Sequence, residues 1–332
     1  MTARRSVVLT VLVVTSVINV VMILHLIRLH STKGSPVSTS SDVKHASNPG
    51  LQGSPQDLRD QQFATLHRLK RNLTLQLELQ KKIIAFLSQE IINNHNFSYI
   101  HNPIKTCSSE KITVLFVIPS APTNFENRDK VRKGSRASYI HDSNNQAKLL
   151  FFLGRSQSNA TDEDIQQKIN EEVIKYNDIV QDGFEDSYRN MRLKAVSMLK
   201  WASNFCGRAK YVIRTDDDVQ VNPEKLVAAL DRMSNEFSDF ILGQVVSGWE
   251  PIRRKENKYF LSQEEYPYST LPPFVLGGLL GYPMTTVKLL YQAALRMKPL
   301  WLDDVFITAI CAQKVQVPLL ADPDFVFKHW AW

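Results

Sequence analysis

At 332 residues the chain has room for one large domain or two small ones, and 43% apolar residues are enough for a sizeable core. The formal net charge is +7 with both signs interspersed, and no Lys/Arg-rich run with interleaved aromatics occurs, which argues against a nucleic-acid partner.

Arg4 and Arg5 precede an apolar stretch, 6–27, that carries no charge until Arg28. Its length is that of a membrane-spanning helix, and the basic flank predicts a cytoplasmic N-terminus. No small-x-small cleavage pattern follows, so a signal anchor is expected rather than a cleaved peptide. Residues 1–5 then read as a cytoplasmic tail, 6–27 as the anchor and the rest as lumenal. Three sequons agree with a lumenal exposure, with Asn72, Asn96 and Asn159 as acceptors.

Residues 28–106 read as a stem. The part 31–55 is rich in Ser, Pro, Gly, Asn and Thr and has no apolar period, the composition of a disordered tether. From 56 to 102 there is no Pro or Gly, and apolar residues recur at alternating three and four spacing through Phe63, Leu66, Leu73, Leu77, Ile84, Leu87 and Ile91, with Lys70 and Gln80 interrupting. A helix over 58–93 is expected. It is either a coiled coil, which predicts a homodimer, or one amphipathic helix packed on the domain that follows.

Residues 107–332 carry the chemistry. Lys111-Ile112-Thr113-Val114-Leu115-Phe116-Val117-Ile118 reads as a buried strand, and Leu149-Leu150-Phe151-Phe152-Leu153-Gly154 as a second. Between them lies a basic segment, 124–139. Arg128 and Arg132 share a face there if it is helical, and arginine's planar fork suits phosphate oxygens. A charged helix is expected over 162–176. The stretch 178–186 leads into a helix over about 187–205, with Lys194 beside its apolar stripe.

The next strand, Tyr211-Val212-Ile213-Arg214-Thr215, runs out into Asp216-Asp217-Asp218. Three adjacent carboxylates repel, and a divalent metal with hard oxygen ligands, Mg²⁺ or Mn²⁺, neutralises them most directly. At the end of a strand in an open α/β sheet, such an ion is well placed to hold a diphosphate. The spacing lacks the Gly and closing Glu of a calcium loop. Asn222-Pro223 starts a helix, Phe240-Ile241-Leu242-Gly243 is a strand, and Gly277-Gly278 inside an apolar run implies a close backbone approach. A helix follows from 284, and Asp303-Asp304 opens the last one. Strands and helices alternate, so the class is α/β.

Several blocks in order resemble the β-1,3-glycosyltransferases of glycosyltransferase family 31, the galactosyl- and N-acetylglucosaminyltransferase group. They are Val117-Ile118-Pro119-Ser120-Ala121-Pro122 with Asn124-Phe125; Tyr176-Asn177-Asp178-Ile179-Val180-Gln181 with Phe184-Glu185-Asp186-Ser187-Tyr188-Arg189-Asn190 and Lys194; Trp201, Cys206 and the Asp triplet with Val221-Asn222; and Tyr266-Pro267, Gly277-Gly278 and Asp303-Asp304-Val305-Phe306. The resemblance covers roughly 110–320. It implies a type II Golgi membrane enzyme of the A-type nucleotide-sugar fold, a Rossmann-like mixed sheet flanked by helices. Such an enzyme transfers a hexose or N-acetylhexosamine from a UDP-sugar to a glycan acceptor on glycoprotein or glycolipid.

By the family pattern Asp218 is the metal ligand, Asp216 and Asp217 face the donor, and Asp304 is the base. Arg128, Arg132, Asp186, Lys194, Gly277, Gly278 and Asp303 fall in the substrate-binding set, and His329 is a candidate second ligand. The resemblance also implies that Cys107 pairs with Cys206, leaving Cys311 as a buried thiol.

The pattern is broken in places. The first motif fits two registers, Arg128 with Arg132 or Arg132 with Arg136. Met191-Arg192 stands for Leu-Thr, Val275-Leu276 for Cys-Ser, and Asp303 for Glu. These departures motivate a second reading, a non-catalytic relative that partners another transferase as a lectin or chaperone.

Overall fold

The computed structural model describes residues 55–108, 111–156 and 162–327. The described residues fall into two units, divided between Thr65 and Leu66. The expected anchor, nearly all of the tether, the Asn159 sequon and His329 lie outside the described residues. Among the described residues no helix is long and apolar enough to cross a membrane.

Helix α1 (Pro55–Leu87) stops short of the expected end at 93. Beyond a closing turn at Ser88 and Gln89, the backbone N–H groups of Ile92 and Asn93 both donate to the carbonyl of Leu295, which diverts the chain from helical bonding. The apolar positions Leu66, Leu69, Leu75 and Leu77 are exposed, while Phe86 is buried near the helix end. Packing on the domain is therefore confined to the final turns. Asn72 and Asn96 are both exposed.

Eight strands form one sheet: β1 (Tyr99–His101), β2 (Ile112–Pro119), β3 (Ala147–Arg155), β4 (Ile179–Glu185), β5 (Ala209–Thr215), β6 (Ile241–Val246), β7 (Phe274–Pro283) and β8 (Leu319–Ala321). Their order is β1-β4-β3-β2-β5-β7-β6-β8. The run β4-β3-β2-β5 is parallel, and β7 is antiparallel to both β5 and β6. Strand β2 sits between β3 and β5, in register from Val114 against Ala147 on one side and Tyr211 on the other.

Helices cover both faces: α2 (Phe125–Lys133), α3 (Ser135–His141), α4 (Asp162–Tyr176), α5 (Met191–Phe205), α6 (Pro223–Ser234) and α7 (Met284–Ala294). Residues Leu115 and Val117 of β2 join a core with α5 and α7, while Val114 and Phe116 join one with α3 and α6. A strand covered on both faces has no polar side, which is why β2 reads as a continuous apolar run. A third cluster packs Ile118 and Phe151 against Val131 of α2 and Ile169 of α4.

Strand β4 corrects the reading of 178–186 as a lead-in to a helix. Gln181, Asp182 and Gly183 lie within it, and these residues are depleted from strands. Gln181 and Asp182 are nonetheless buried. Gln181 donates to the carbonyl of Gly154 at 3.1 Å, and Ser197 of α5 donates to the Asp182 carboxylate. Helix α5 starts at Met191 after a single 3₁₀ turn at Tyr188–Asn190. The helix expected after Asp303-Asp304 is a π-helix, Val305–Cys311, continued by a short α-turn, Ala312–Lys314.

Candidate active site

The sheet order runs β4-β3-β2 one way and on to β5 the other, so β2 and β5 flank a topological switch point. In open α/β sheets the crevice outside the carboxyl ends of such strands is where ligands bind. Strand β2 ends at Pro119 and β5 at Thr215. Ser120 and the Asp triplet therefore emerge side by side.

The three carboxylates have different surroundings. Asp217 accepts hydrogen bonds from Ser120 Oγ at 2.7 Å, Asn124 Nδ2 at 3.1 Å and Asn127 Nδ2 at 3.2 Å. Asp218 is exposed. Asp216 is divided: 39% of its side chain is open, but its Oδ1 is buried and has no hydrogen-bond partner among the described residues. Burial, opposed by Arg214, pushes the Asp216 carboxyl up to about 7. Its backbone N–H donates to the carbonyl of Gly278 at 3.0 Å, which ties the triplet to β7.

Arg214, the last charged residue before the triplet, is buried and joins the two acidic groups that lie far apart in sequence. Its Nη1 donates to Asp303 Oδ2 at 2.5 Å, and its Nη2 lies 3.9 Å from Asp216 Oδ1. Burial opposes the charge on Arg214, but Asp303 and Asp216 more than offset this and its pKa moves up. Gly277 forms the floor beneath it: a Cβ there would stand 3.2 Å from Arg214 Nη2 and 3.4 Å from Asp304 Cβ. Gly278 has a similar constraint, since a Cβ would fall 2.4 Å from the Phe327 ring. The glycine pair therefore marks the close approach that its place in an apolar run implies.

Asp304 caps the π-helix, accepting from the Val305 N–H at 2.8 Å. Burial, and then the like charge of Asp303, push its carboxyl up to about 7. A carboxylate so poised is suited to accept a proton near neutral pH.

The basic residues fall differently from the first motif register. Arg128 is fully buried, paired with Glu172 at 2.7 Å, and donates to Ser120 Oγ and the carbonyls of Ala121 and Pro122. Arg132 is held by Glu172 at 2.6 Å and Asp178 at 2.7 Å. Both guanidiniums are engaged in anchoring α2, and Arg128 also meets the end of β2 through Ser120 Oγ, which in turn donates to Asp217. Arg136 reaches the triplet directly, donating to Thr215 Oγ1 at 2.9 Å and the Asp216 carbonyl at 3.3 Å. Burial lowers its pKa to about 10 against the pull of Asp217, Asp216 and Asp218.

Lys194 is likewise directed inward. Its Nζ donates to Asp186 at 2.9 Å and to the Ser120 carbonyl at 2.7 Å, while Asp186 accepts from Gly154 N–H at 2.8 Å. This pair fixes the end of β2 from behind. Sequence reasoning missed Arg214 and Asn127. For Arg214 the signal was present, an arginine inside an otherwise apolar strand directly before three carboxylates.

Cys107 and Cys206 form a disulfide with Cα atoms 5.2 Å apart, and Cys311 is buried and unbridged.

Fold and site together define an α/β protein whose crevice, at the switch point of a mixed sheet, is walled by two acidic groups clamped on one buried arginine. Comparison with known proteins narrows the class: the galactosyltransferase family matches residues 127–323, and the chain belongs to it, within glycosyltransferase family 31. It is 32% identical over 225 residues to the lactosylceramide 1,3-N-acetyl-beta-D-glucosaminyltransferase A of Xenopus laevis, a match covering 66% of this chain and 59% of that protein. It is 29% identical over 244 residues to the beta-1,3-galactosyltransferase 1 of Mus musculus, covering 72% and 71%. The match thus spans about three fifths of the length of the first of these relatives. Among solved structures, a 4-diphosphocytidyl-2C-methyl-D-erythritol synthase from Anaerococcus prevotii overlaps 65% of this chain and 90% of its own at 11% identity, with a TM-score of 0.34.

Proposed function

We propose that the protein is an inverting β-1,3-glycosyltransferase of the A-type nucleotide-sugar fold that moves a hexose or N-acetylhexosamine from a UDP-sugar to a glycan hydroxyl. The observation that carries this reading is the meeting of Asp216 and Asp303 on Arg214 at the switch point, with Asp304 beside them over Gly277. In the reaction Asp304 accepts the proton of the acceptor hydroxyl. The hydroxyl oxygen bonds to the anomeric carbon from the face opposite the leaving group, the anomeric C–O bond to the diphosphate breaks, and UDP departs with the electron pair. Arg214 and the Val305 N–H hold the acidic pair in orientation.

The acidic residues also suit a Mn²⁺ or Mg²⁺ ion. Asp218 is exposed, and the inner oxygen of Asp216 has no hydrogen-bond partner among the described residues. Among the described residues no three His, Cys, Asp or Glu side chains gather as a metal site, so diphosphate oxygens and water would complete the shell, a common arrangement for Mg²⁺ at nucleotide sites. His329 stays a candidate ligand beyond the described residues. A bound ion would stabilise the charge of the departing UDP. The basic flank, the 6–27 stretch and the sequons support a single-pass type II Golgi protein with the site in the lumen.

The test is a screen of UDP-sugars for hydrolysis and transfer with the full chain in detergent. Asp304→Asn and Asp218→Ala should each abolish transfer while the fold persists; full activity in either removes its assigned role. A thermal-shift titration with UDP and Mn²⁺ separates the enzyme from a non-catalytic relative, because a ligand of the native state raises its stability. No shift at saturation favours the relative.

A further inference from the structure

Among the described residues Arg192 has no counter-charge. It stands at the start of α5, partly buried, and among the described residues it makes no hydrogen bond or ion pair; its guanidinium only faces the Phe306 ring at 5.8 Å. No nitrogen of its guanidinium is both buried and unpaired, so water reaches the group and an anionic ligand can replace that water. Burial lowers its pKa, and no carboxylate opposes that shift.

The residue lines a cavity of about 350 Å³ with Arg189, Lys298, Trp301, Glu264 and Glu265. Glu265 is already engaged, accepting from Ser262 N–H at 2.9 Å and Arg189 at 3.2 Å. Glu264 and Lys298 are exposed. Arg189 lies over the Trp301 ring at 4.4 Å, which leaves Arg192 and Lys298 as the cations open to a ligand.

The cavity is built on the segments that flank the base, with Trp301 in its wall and Arg192 facing Phe306. Trp301 lies two residues before Asp303 and packs on Tyr188 with ring centroids 5.9 Å apart. The Tyr188 hydroxyl is raised in pKa by burial and by its bond to Tyr259, with Asp303 and Asp304 adding to the effect. Tyr188 and Tyr259 are 45% and 37% exposed, with centroids 5.8 Å apart, so two part-exposed aromatic rings stand beside Trp301 of the cavity wall. Aromatic rings offer apolar area with a polar edge, which suits a sugar ring.

We infer that this cavity is an acceptor subsite that takes a glycan bearing an anionic substituent, a sulfate ester or a carboxylate, with Arg192 as the recognising group. The inference rests on the transferase reading, since it makes the ligand the acceptor. The sugar that carries the reacting hydroxyl lies along Tyr188 and Tyr259 toward Asp304, and the charged neighbour enters the cavity. Arginine's fork matches either anion in a bidentate way.

The test is calorimetric binding to the full chain in detergent micelles, with two matched pairs of probes. One pair is N-acetyllactosamine and its 6-O-sulfated form. The other is galactosyl-β-1,3-galactose and glucuronosyl-β-1,3-galactose. At least one charged member should bind about tenfold more tightly than its neutral match, the size of one charge-assisted hydrogen bond. Which pair shows the preference separates sulfate from carboxylate. Arg192→Met should erase the advantage, so that each charged probe binds no more tightly than its neutral match, Arg192→Lys should keep part of it, and added salt should shrink it. Lys298→Met, at an exposed position, gives a second variant should Arg192→Met melt early.

Equal binding within both pairs, binding by none of the four probes, or an advantage that survives Arg192→Met overturns the inference. The UDP and Mn²⁺ titration is read separately. A UDP shift without anion preference sinks only the subsite; anion preference without a UDP shift sinks the transferase and, with it, the acceptor role of the cavity, leaving an anionic-glycan site on a non-catalytic relative.

Discussion

Arg214→Met removes the one cation that Asp216 and Asp303 share while keeping most of the apolar stem. Asp303 keeps only 15% of its side chain exposed and lies 2.5 Å from the guanidinium. Breaking a buried pair by removing one partner costs about 3–5 kcal/mol, and the lower figure applies because Asp216 opens partly to water. For a unit of this size about 3 kcal/mol corresponds to a melting point roughly 6–12 °C lower.

The loss should depend on pH. Burial already pushes Asp216 and Asp304 up to about 7, well above the unfolded carboxylate value of about 3.9, so the folded state binds these protons first. Groups raised in this way weaken the native state as pH climbs from about 4 through 7. Arg214 lowers both pKa values, so its removal extends that window upward. Thermal unfolding of parent and variant, in chelator so that no cation replaces the guanidinium, should show a modest difference at pH 5 and the full one at pH 8. A variant that melts within a degree of the parent at pH 8, or loses the same amount at both pH values, refutes the clamp.

Other outcomes follow from the same geometry. The kcat/KM of the parent should rise with pH through about 7 as Asp304 ionises, and Asp303→Asn should move that limb to lower pH by removing the like charge that raises Asp304; an unmoved limb would show that the two carboxyls are not coupled. Gly278→Ala drives a methyl group into the Phe327 ring, so the variant should lose about 1–3 kcal/mol in chemical denaturation and bind UDP less well, because the Gly278 carbonyl holds Asp216. Cys107→Ser opens a link spanning 99 residues and should cost about 2–5 kcal/mol, read as a lower melting point that reductant no longer changes. Lys194→Met leaves Asp186 buried beside the end of β2 without its cation; it should lower stability by about 3 kcal/mol and impair donor binding only through displacement of Ser120.

Apolar runs bounded by turns exposed β2, β3 and β5 in the sequence because strands buried on both faces have no polar side to interrupt them. The acidic motifs were visible because like charges in a row are costly unless a partner arrives. Strand β4 was hidden by Gln181, Asp182 and Gly183, whose partners come from elsewhere in the chain: Gly154 and Gln166 for Gln181, Ser197 for Asp182 and the Ser98 carbonyl for the Gly183 N–H. The arginine register could not be read from spacing. Arg128 and Arg132 share a helix face with one another, but Glu172 and Asp178 lie some forty residues away in sequence and arrive only when α4 and the start of β4 pack beside α2.

The sequence by itself determined which segments are buried, where carboxylates concentrate and, through the family resemblance, which cysteines pair. Tertiary structure alone decided which charge answers which. It turned Arg128, Arg132 and Lys194 inward, brought Arg136 to the triplet, and closed Arg214 on Asp303 and Asp216. The reason is that periodicity reports the environment of a residue on its own element, whereas a charge's partner comes from wherever the chain returns.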